Sequence, residues 1–417
     1  MKLRGVVYCK VVNMRLIYLH QYFKFPDETG GTRSFDLAAS FLKKGINVTV
    51  ITATSDNKHK SNKRWKVLER EGLTVNYIYL PYGNHLSYFQ RSLVFFKFLW
   101  FSTFCLLKLK GDVVLATSTP LTIGIPALFK KWFGKTPFVF EVRDVWPEAV
   151  IAIGAIKNKY LKKLLYFLEK IIYKNAYAVV SLSTDMQESI VTRYPHYASK
   201  SSVVIENISE ISRFQKTESE IDLEKIIGFK PRFSILYAGT FGKVNGIDNV
   251  IELAKKTLQI DDKLVYILIG SGAEKDNVIQ LAKDIGVYGK NVFILEPISK
   301  NELPKWYNSI SIGSSFVIDI KELWANSANK FFDTLAAGKP ILINHKGWQA
   351  EIIREYNIGY VLPFIITTEE ANKFVEYTLQ KKLIQEQQKN AISIANEKYS
   401  LERAVEKYMK VFDKVIK

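Results

Sequence analysis

Four stretches of the sequence bring together residue types able to hold or move a charged group. In Glu141-Val142-Arg143-Asp144-Val145-Trp146-Pro147-Glu148, four ionisable residues close an apolar run. Charges in such a place are costly to bury without partners. They either pair internally, Arg143 with Asp144 or Glu148, or form a charged floor beneath a ligand. On the second reading Arg143, Asp144 and Glu148 are the catalytic candidates. In WANSANKFFDTLAAGKP, residues 324–340, Asn326, Ser327, Asn329 and Lys330 precede an apolar run, a composition suited to a helix start that receives phosphate. Asp333 follows Lys330 by three residues, nearly one turn, close to the same face. A cation for diphosphate and a carboxylate for ribose hydroxyls would hold a nucleotide at both ends; a capped surface helix has the same composition.

The other two stretches are glycine turns. Gly30-Gly31, in FPDETGGTRSFDLA, and Gly239-Thr240-Phe241-Gly242-Lys243 each stand between a strand-like run and a helical one. Residues without side chains let backbone N–H groups approach a phosphate, and the following helix adds the positive end of its dipole. Lys243 adds a mobile charge, although the Gly-Lys-Ser/Thr spacing of a P-loop is absent. Gly270, in Ile269-Gly270-Ser271-Gly272, closes the next strand and could lie under the same nucleotide. A plain tight turn is the alternative for Gly30-Gly31 and for Gly270.

The elements that must position these residues alternate. RLIYLHQYF, INVTVITA, LTVNYIYLP, DVVLATS and FVFEVRD read as strands, and SFDLAASFLKKG as a helix ended by Gly45. FSILYAGT, VYILIGSG, VFILEP, ISIGSSFV and PILINH repeat the scheme, with DNVIELAKKTL and KDNVIQLAKDIG as helices. Strands alternating with helices predict a parallel sheet covered on both faces. Two such α/β units meet in the polar stretch 206–230, and ligands are expected beyond the strands' carboxyl ends, in a cleft between facing units. The tail YSLERAVEKYMKVFDKVIK is helical, with Leu401, Val405, Tyr408 and Phe412 on one stripe.

Composition sets the outer bounds. The 417 residues are 47% hydrophobic and 24% charged, which excludes a disordered chain, and the two cysteines, Cys9 and Cys105, exclude a disulfide scaffold. Of the net charge of +18, residues 1–210 carry +15 and residues 211–417 carry +3. That asymmetry points to an anionic partner for the first half. In the stretch 158–174, Leu161, Leu164, Leu165, Leu168, Ile171 and Ile172 form one helical face, and Lys159, Lys162, Lys163, Lys170 and Lys174 the other. Together with Lys58, Lys60, Lys63, Arg64 and Lys66, the lysine face is either solvated or a contact for anionic lipid, with Lys159, Lys163 and Lys170 as its membrane or acceptor candidates. Residues 85–110 hold only ten uncharged positions between Lys97 and Lys108, where a span needs about 20. They form a buried helix or one that dips into a membrane interface. Residues 1–13 lack a cleavage site, and Met14 is an alternative start.

Taken in order, GGTRSFDLAASFLKKGINVTVIT, FVFEVRDVWPEAVIAIGAIKN, YAGTFGKVNGIDNVIELA and SANKFFDTLAAGKPILINHKGWQAEII resemble the family-4 retaining glycosyltransferases over nearly the whole chain from Met14. Within that family they are most similar to the bacterial O-antigen and capsule branch that includes the WbuB-type L-fucosamine transferases. The resemblance implies a GT-B fold, two Rossmann-like doubly wound α/β domains facing a cleft. Residues 1–208 would bind acceptor and 209–395 nucleotide-sugar, with a closing helix, 396–417, crossing back to the first domain. It further implies retaining transfer of an N-acetylated amino or deoxyamino sugar from a UDP-linked donor to a lipid-diphosphate-linked saccharide. The enzyme would be peripheral on the inner face of the cytoplasmic membrane and need no cofactor or obligatory metal. Asp333 stands where the family has the last glutamate of its Glu-x7-Glu signature, expected on the ribose, while the first glutamate falls at Ala325. The family's diphosphate-binding Arg and Lys match Thr240 and Asn245, so Lys330, with Lys243 as a second candidate, is expected to restore the charge. Arg143-Asp144 sits where many members have His-Asp.

Two other classes compete. A nucleotide-sugar epimerase shares the fold but does not need a basic first domain. A nucleic-acid-binding protein would use that basic half, yet the sequence has no recognition helix, zinc finger or RNA-binding aromatic motif, and no nucleic-acid partner is expected. No Asp-x-Asp metal pair stands in a strand-end loop.

Overall fold

The computed structural model describes residues 13–61, 64–81, 88–198, 202–208, 210–215 and 219–416. The stretch 1–12 with Cys9, and Lys63 and His85, lie outside the described residues. The chain forms two compact units: residues to Lys24, Thr32–Glu206 and from Glu402 onward; and Phe25–Gly31 with Asn207–Leu401. The divisions at Glu206/Asn207 and Leu401/Glu402 stand against 208/209 and 395/396 expected from sequence. Grouping of 25–31 with the second unit had no signal in the composition.

The first unit is built on eight strands, β1 (Arg15–Leu19), β2 (Asn47–Thr54), β3 (Lys66–Arg70), β4 (Leu73–Tyr79), β5 (Val113–Thr117), β6 (Phe138–Val142), β7 (Ala178–Ser181) and β8 (Ser202–Val204). Their order is β3-β4-β2-β1-β5-β6-β7-β8, parallel throughout except for the β3–β4 pair. The central strands RLIYL, VVLAT and FVFEV are near-continuous apolar runs because helices cover both faces of the sheet. Strand order reverses between β1 and β5, the position where such sheets bind ligands.

Three helices of this unit matter below: Tyr88–Lys108, Gly124–Gly134 and Lys159–Asn175. The first buries Phe98, Ser102, Cys105 and Leu106. The last starts at Asn158, whose side chain accepts from the N–H groups of Tyr160 and Leu161. Its apolar stripe is covered along only part of its length: Ile172 is buried and Leu168 and Ile171 pack against the core, with Glu169 and Tyr173 also turned inward, while Leu161 and Leu164 are exposed. Among the described residues, no helix is long and apolar enough to cross a membrane.

The second unit holds six parallel strands, β9 (Phe233–Ala238), β10 (Leu264–Ile269), β11 (Val292–Leu295), β12 (Ile312–Ser315), β13 (Ile341–Ile343) and β14 (Gly359–Val361), ordered β11-β10-β9-β12-β13-β14. Alternate residues serve two cores: Ile235, Tyr237 and Leu268 pack into one, Leu236, Ile267 and Ile269 into the other. Its strand order reverses between β9 and β12.

Candidate active site

Beyond the carboxyl ends of β9, β10 and β11 the second unit encloses a cavity of about 400 Å³. Its floor is two interlocked loops. Gly239 N–H donates to the Ile269 carbonyl at 2.9 Å, and Phe241 N–H to the Ser271 carbonyl at 2.8 Å. A Cβ on Gly270 would lie 1.8 Å from the Gly239 oxygen, so only glycine permits this approach. On another wall, Gly31 lies against the start of helix Asn329–Ala336, where a Cβ would sit 2.2 Å from Asn329 Nδ2. Asn329 is held in turn by the buried Asn207, whose Nδ2 donates to Asn329 Oδ1 and, at 2.8 Å, to the Ser327 carbonyl. Ala328 precedes this helix and offers no side-chain cap to its first N–H groups.

Lys330 enters the cavity from the first turn of that helix. Its ammonium is buried, donates to Tyr237 Oη at 3.3 Å and lies 4.5 Å from the centre of the Tyr237 ring. Among the described residues no carboxylate pairs with it, and burial lowers its pKa to about 8. A buried cation without a counter-ion is costly, and an arriving anion would relieve that cost. Asp333 is one turn further and also buried. Lys300, on the loop after β11, forms an ion pair with one of its oxygens, and its Oδ1 has no hydrogen-bond partner. The cavity therefore offers two ammonium groups, an uncapped helix start and one vacant carboxylate oxygen.

Eight of the ten residues expected at the donor site line this cavity: Gly30, Gly31, Gly239, Thr240, Gly270, Asn329, Lys330 and Asp333. Gly242 and Lys243 do not. They line a separate depression with Asp248, Glu252 and Glu274, because the turn after Thr240 carries them away. Lys300 was not singled out in sequence, since its meaning comes from a partner 33 residues away.

In the first unit, Arg143 and Asp144 follow β6 next to the end of β5. Thr119 Oγ1 donates to Asp144 Oδ2 at 2.5 Å, and Arg143 N–H to Ser118 Oγ at 3.0 Å. Neither anticipated internal ion pair forms. Glu148 instead pairs with Arg193 and accepts from the Ser189 hydroxyl at 2.8 Å, so its charge is neutralised away from Arg143. Beside them, at the end of β1, lies His20, also missed in sequence. Burial, and then the charge of Arg143, lower it to about 3 against the pull of Glu141, so its imidazole is neutral near pH 7. Its Nδ1 is buried and unpartnered.

Under this cluster Glu141 and Arg33 form a fully buried ion pair at 2.8 Å. Thr117 Oγ1 (2.8 Å) and Tyr408 Oη (2.9 Å) also donate to Glu141. Burial by itself would raise the Glu141 carboxyl; Arg33, Arg143 and the Thr117 hydroxyl overcome it and hold it at about 2. Lys159, Lys163 and Lys170 are exposed on helix Lys159–Asn175.

Residues 219–398 match the family described as glycosyl transferases group 1, and residues 29–204 the glycosyl transferase 4-like domain. A probable glycosyltransferase, WbjE, of Pseudomonas aeruginosa is 24% identical over 260 residues, 61% of this chain and 63% of that protein. A putative colanic acid biosynthesis glycosyl transferase, WcaI, of Escherichia coli is 25% identical over 164 residues, covering 38% and 39%. The chain thus spans less than two thirds of the length of the curated relatives it matches. Among solved structures, sucrose-phosphate synthase from Thermosynechococcus elongatus superposes with a TM-score of 0.74 at 14% identity over 97% of this chain and 99% of that one. Anabaena HepE in complex with UDP-glucose gives 0.70 at 16% identity over 96% and 100%. These likenesses establish the fold, the GT-B architecture of two Rossmann-like α/β domains.

Proposed function

We propose that this chain, whose residues 219–398 match the group 1 glycosyl transferases and residues 29–204 a glycosyl transferase 4-like domain, transfers a sugar from a nucleotide-sugar to a saccharide acceptor. The observation that carries the reading is Lys330, a buried ammonium without a carboxylate partner, in one cavity with the vacant Oδ1 of Asp333. Breaking the bond between sugar and nucleotide leaves charge on the departing diphosphate. Lys330, Lys300 and the uncapped helix start supply fixed positive charge there, which is where catalysis needs it. Asp333 accepts from the ribose hydroxyls. Arg143, Asp144 and the neutral His20 stand at the strand ends of the first unit, where the acceptor is bound, and Glu148 keeps Arg193 in place.

The finer reading is a retaining transfer of an N-acetylated amino or deoxyamino sugar, from UDP, onto a lipid-diphosphate-linked saccharide of an O-antigen or capsule, at the inner face of the cytoplasmic membrane. The sequence stretches that resemble that branch support it, and so does the likeness to WcaI, a putative colanic acid biosynthesis glycosyl transferase. Because cationic side chains neutralise the leaving group, the reaction is expected to proceed without a divalent metal. The test is release of nucleotide from a panel of UDP-, GDP- and dTDP-sugars, with and without a polyprenyl-diphosphate saccharide, in the presence and absence of EDTA. Release from a UDP-sugar that depends on acceptor and survives EDTA is the expected result. Interconversion of the free nucleotide-sugar without transfer would refute the reading, and loss of transfer in EDTA would refute its metal-free part.

A further inference from the structure

Three neighbouring helices of the first unit leave bulky apolar side chains in solvent. On helix Tyr88–Lys108 these include Phe96, 68% exposed, and Trp100, 62%. Helix Gly124–Gly134 presents Trp132 and Phe133, the latter 72% exposed, and helix Lys159–Asn175 presents Leu164 and Phe167. The middle helix is tied to both others. Lys130 Nζ donates to the Leu109 carbonyl at 2.7 Å, and Lys131 Nζ to the Asn175 carbonyl at 2.6 Å. The three helices thus lie side by side, and each turns bulky apolar side chains to solvent, where a soluble surface normally carries only scattered ones.

The charges on this surface have one sign. Leu93, Lys97, Trp100, Phe104 and Lys108 follow one another at helical spacings of three or four, and so do Tyr160, Lys163, Phe167 and Lys170. Aromatic and lysine residues share the same stripes, whereas a solvated face would be polar throughout. The only acidic residue in the three helices is Glu169, which is buried and paired with Arg193. A two-fold contact with a second copy would set lysine against lysine with no carboxylate between them, since such a contact buries the same patch on both copies. An anionic bilayer interface offers an apolar layer for the rings and phosphates for the lysines, whose long stems reach outward from apolar surroundings.

We propose that the face formed by these three helices docks on an anionic phospholipid surface with its aromatic side chains inserted and the interleaved lysines reaching the lipid phosphates. The inference shares with the proposed function only the membrane location of the acceptor, and its test uses no sugar substrate. Insertion and pure charge attraction differ in salt dependence. At about 0.5 M salt the Debye length is roughly 4 Å, so attraction fades while insertion persists.

Full-length protein is floated with vesicles of phosphatidylcholine and of equal parts phosphatidylcholine and phosphatidylglycerol. Wild type should bind the anionic vesicles and remain largely bound at high salt. A triple variant with one change per helix, Phe96→Ser, Phe133→Ser and Phe167→Ser, should lose roughly a hundredfold in partitioning. Lys159→Gln, Lys163→Gln and Lys170→Gln together should weaken binding at low salt and leave the high-salt fraction near wild type. An unchanged thermal midpoint of each variant shows that folding is intact. Wild type that ignores both vesicles, or a triple aromatic variant that floats as wild type does, overturns the proposal. So does a lipid-free wild type that sediments as a dimer which the aromatic changes dissociate, because the face is then a contact between copies.

Discussion

Lys330 is a cation held where its neutral form is favoured. Its pKa falls from the ordinary 10.5 to about 8 through burial, so between pH 8 and 10.5 the unfolded chain binds more protons than the folded one. Stability should therefore rise with pH across that window. Lys330→Met should abolish the rise and stabilise the unliganded protein near neutral pH by about 1 kcal/mol or more, measured by urea unfolding at several pH values. On the proposed function the same change should lower kcat/KM roughly a hundredfold or more, since it removes the cation expected beside the leaving diphosphate. A variant less stable than wild type at pH 7, or one fully active, contradicts that account. Asp333 behaves differently. The sequence alone suggests that Asp333→Ala leaves the fold intact, but it strands the buried Lys300 without its partner. Its expected cost is about 3 kcal/mol, and adding Lys300→Met should restore most of the stability without restoring activity. Additive losses in the double variant would contradict the pairing. Lys330 and Asp333 were legible because polar residues gather in sequence just before an apolar helix. Lys300 and His20 were not, because a loop lysine and a strand-end histidine acquire their roles only from distant partners.

Helix Leu401–Ile416 shows how one element can be set by a single polar contact under apolar cover. Phe41 meets Tyr408 edge-on at 5.7 Å and Phe412 at 5.4 Å, while the Tyr408 hydroxyl reaches into the Arg33–Glu141 pair. Glu141→Gln leaves the fully buried Arg33 without a counter-charge and should cost about 3–5 kcal/mol, whereas Tyr408→Phe, which keeps the ring, should cost about 1 kcal/mol. Because Glu141 ionises at about 2 instead of 4.5, its contribution is fully present above pH 4.5 and is lost as pH falls from there towards 2. An acid-unfolding curve for Glu141→Gln that keeps the wild-type slope in that interval would contradict the assignment. The stripe Leu401, Val405, Tyr408 and Phe412 was readable because helical period and burial agree there. On helix Lys159–Asn175 period and burial agree only in part: Ile172 of the apolar stripe is buried, but Leu161 and Leu164 of the same stripe are exposed. Periodicity also passed over β3, β7, β8 and β14: AVVS and SVV are too short to show alternation, and KVLER is an edge strand with no buried residue, its apolar Val67 exposed and Lys66 and Arg70 half-buried beside Leu68.

At the scale of the whole molecule, sequence order and spatial unit part company. The second unit is inserted between Glu206 and Glu402, and it also claims Phe25–Gly31 from the loop that follows β1. The last helix of the chain therefore packs on the first unit, against Phe41, and residues 29–31 from the first half line the cavity of the second. Local periodicity finds strands and helices, but not which unit a loop joins, since that depends on fits such as Gly31 against Asn329. The division has a measurable consequence in amide hydrogen exchange. A ligand that binds only the native state slows exchange in the segments whose opening would release it. UDP should therefore protect 29–31, 239–241, 270–271, 298–303 and 328–333, including the short segment far from the others in sequence. Removal of residues 401–417 uncovers Phe41 and takes the Tyr408 hydroxyl from Glu141. It should speed exchange in helix Arg33–Lys43 and in β6 and leave helix Asn329–Ala336 near its wild-type rate. Protection by UDP confined to the first unit would remove the donor site from this cavity. Equal acceleration of both units on truncation would mean that the tail supports the molecule as one cooperative body.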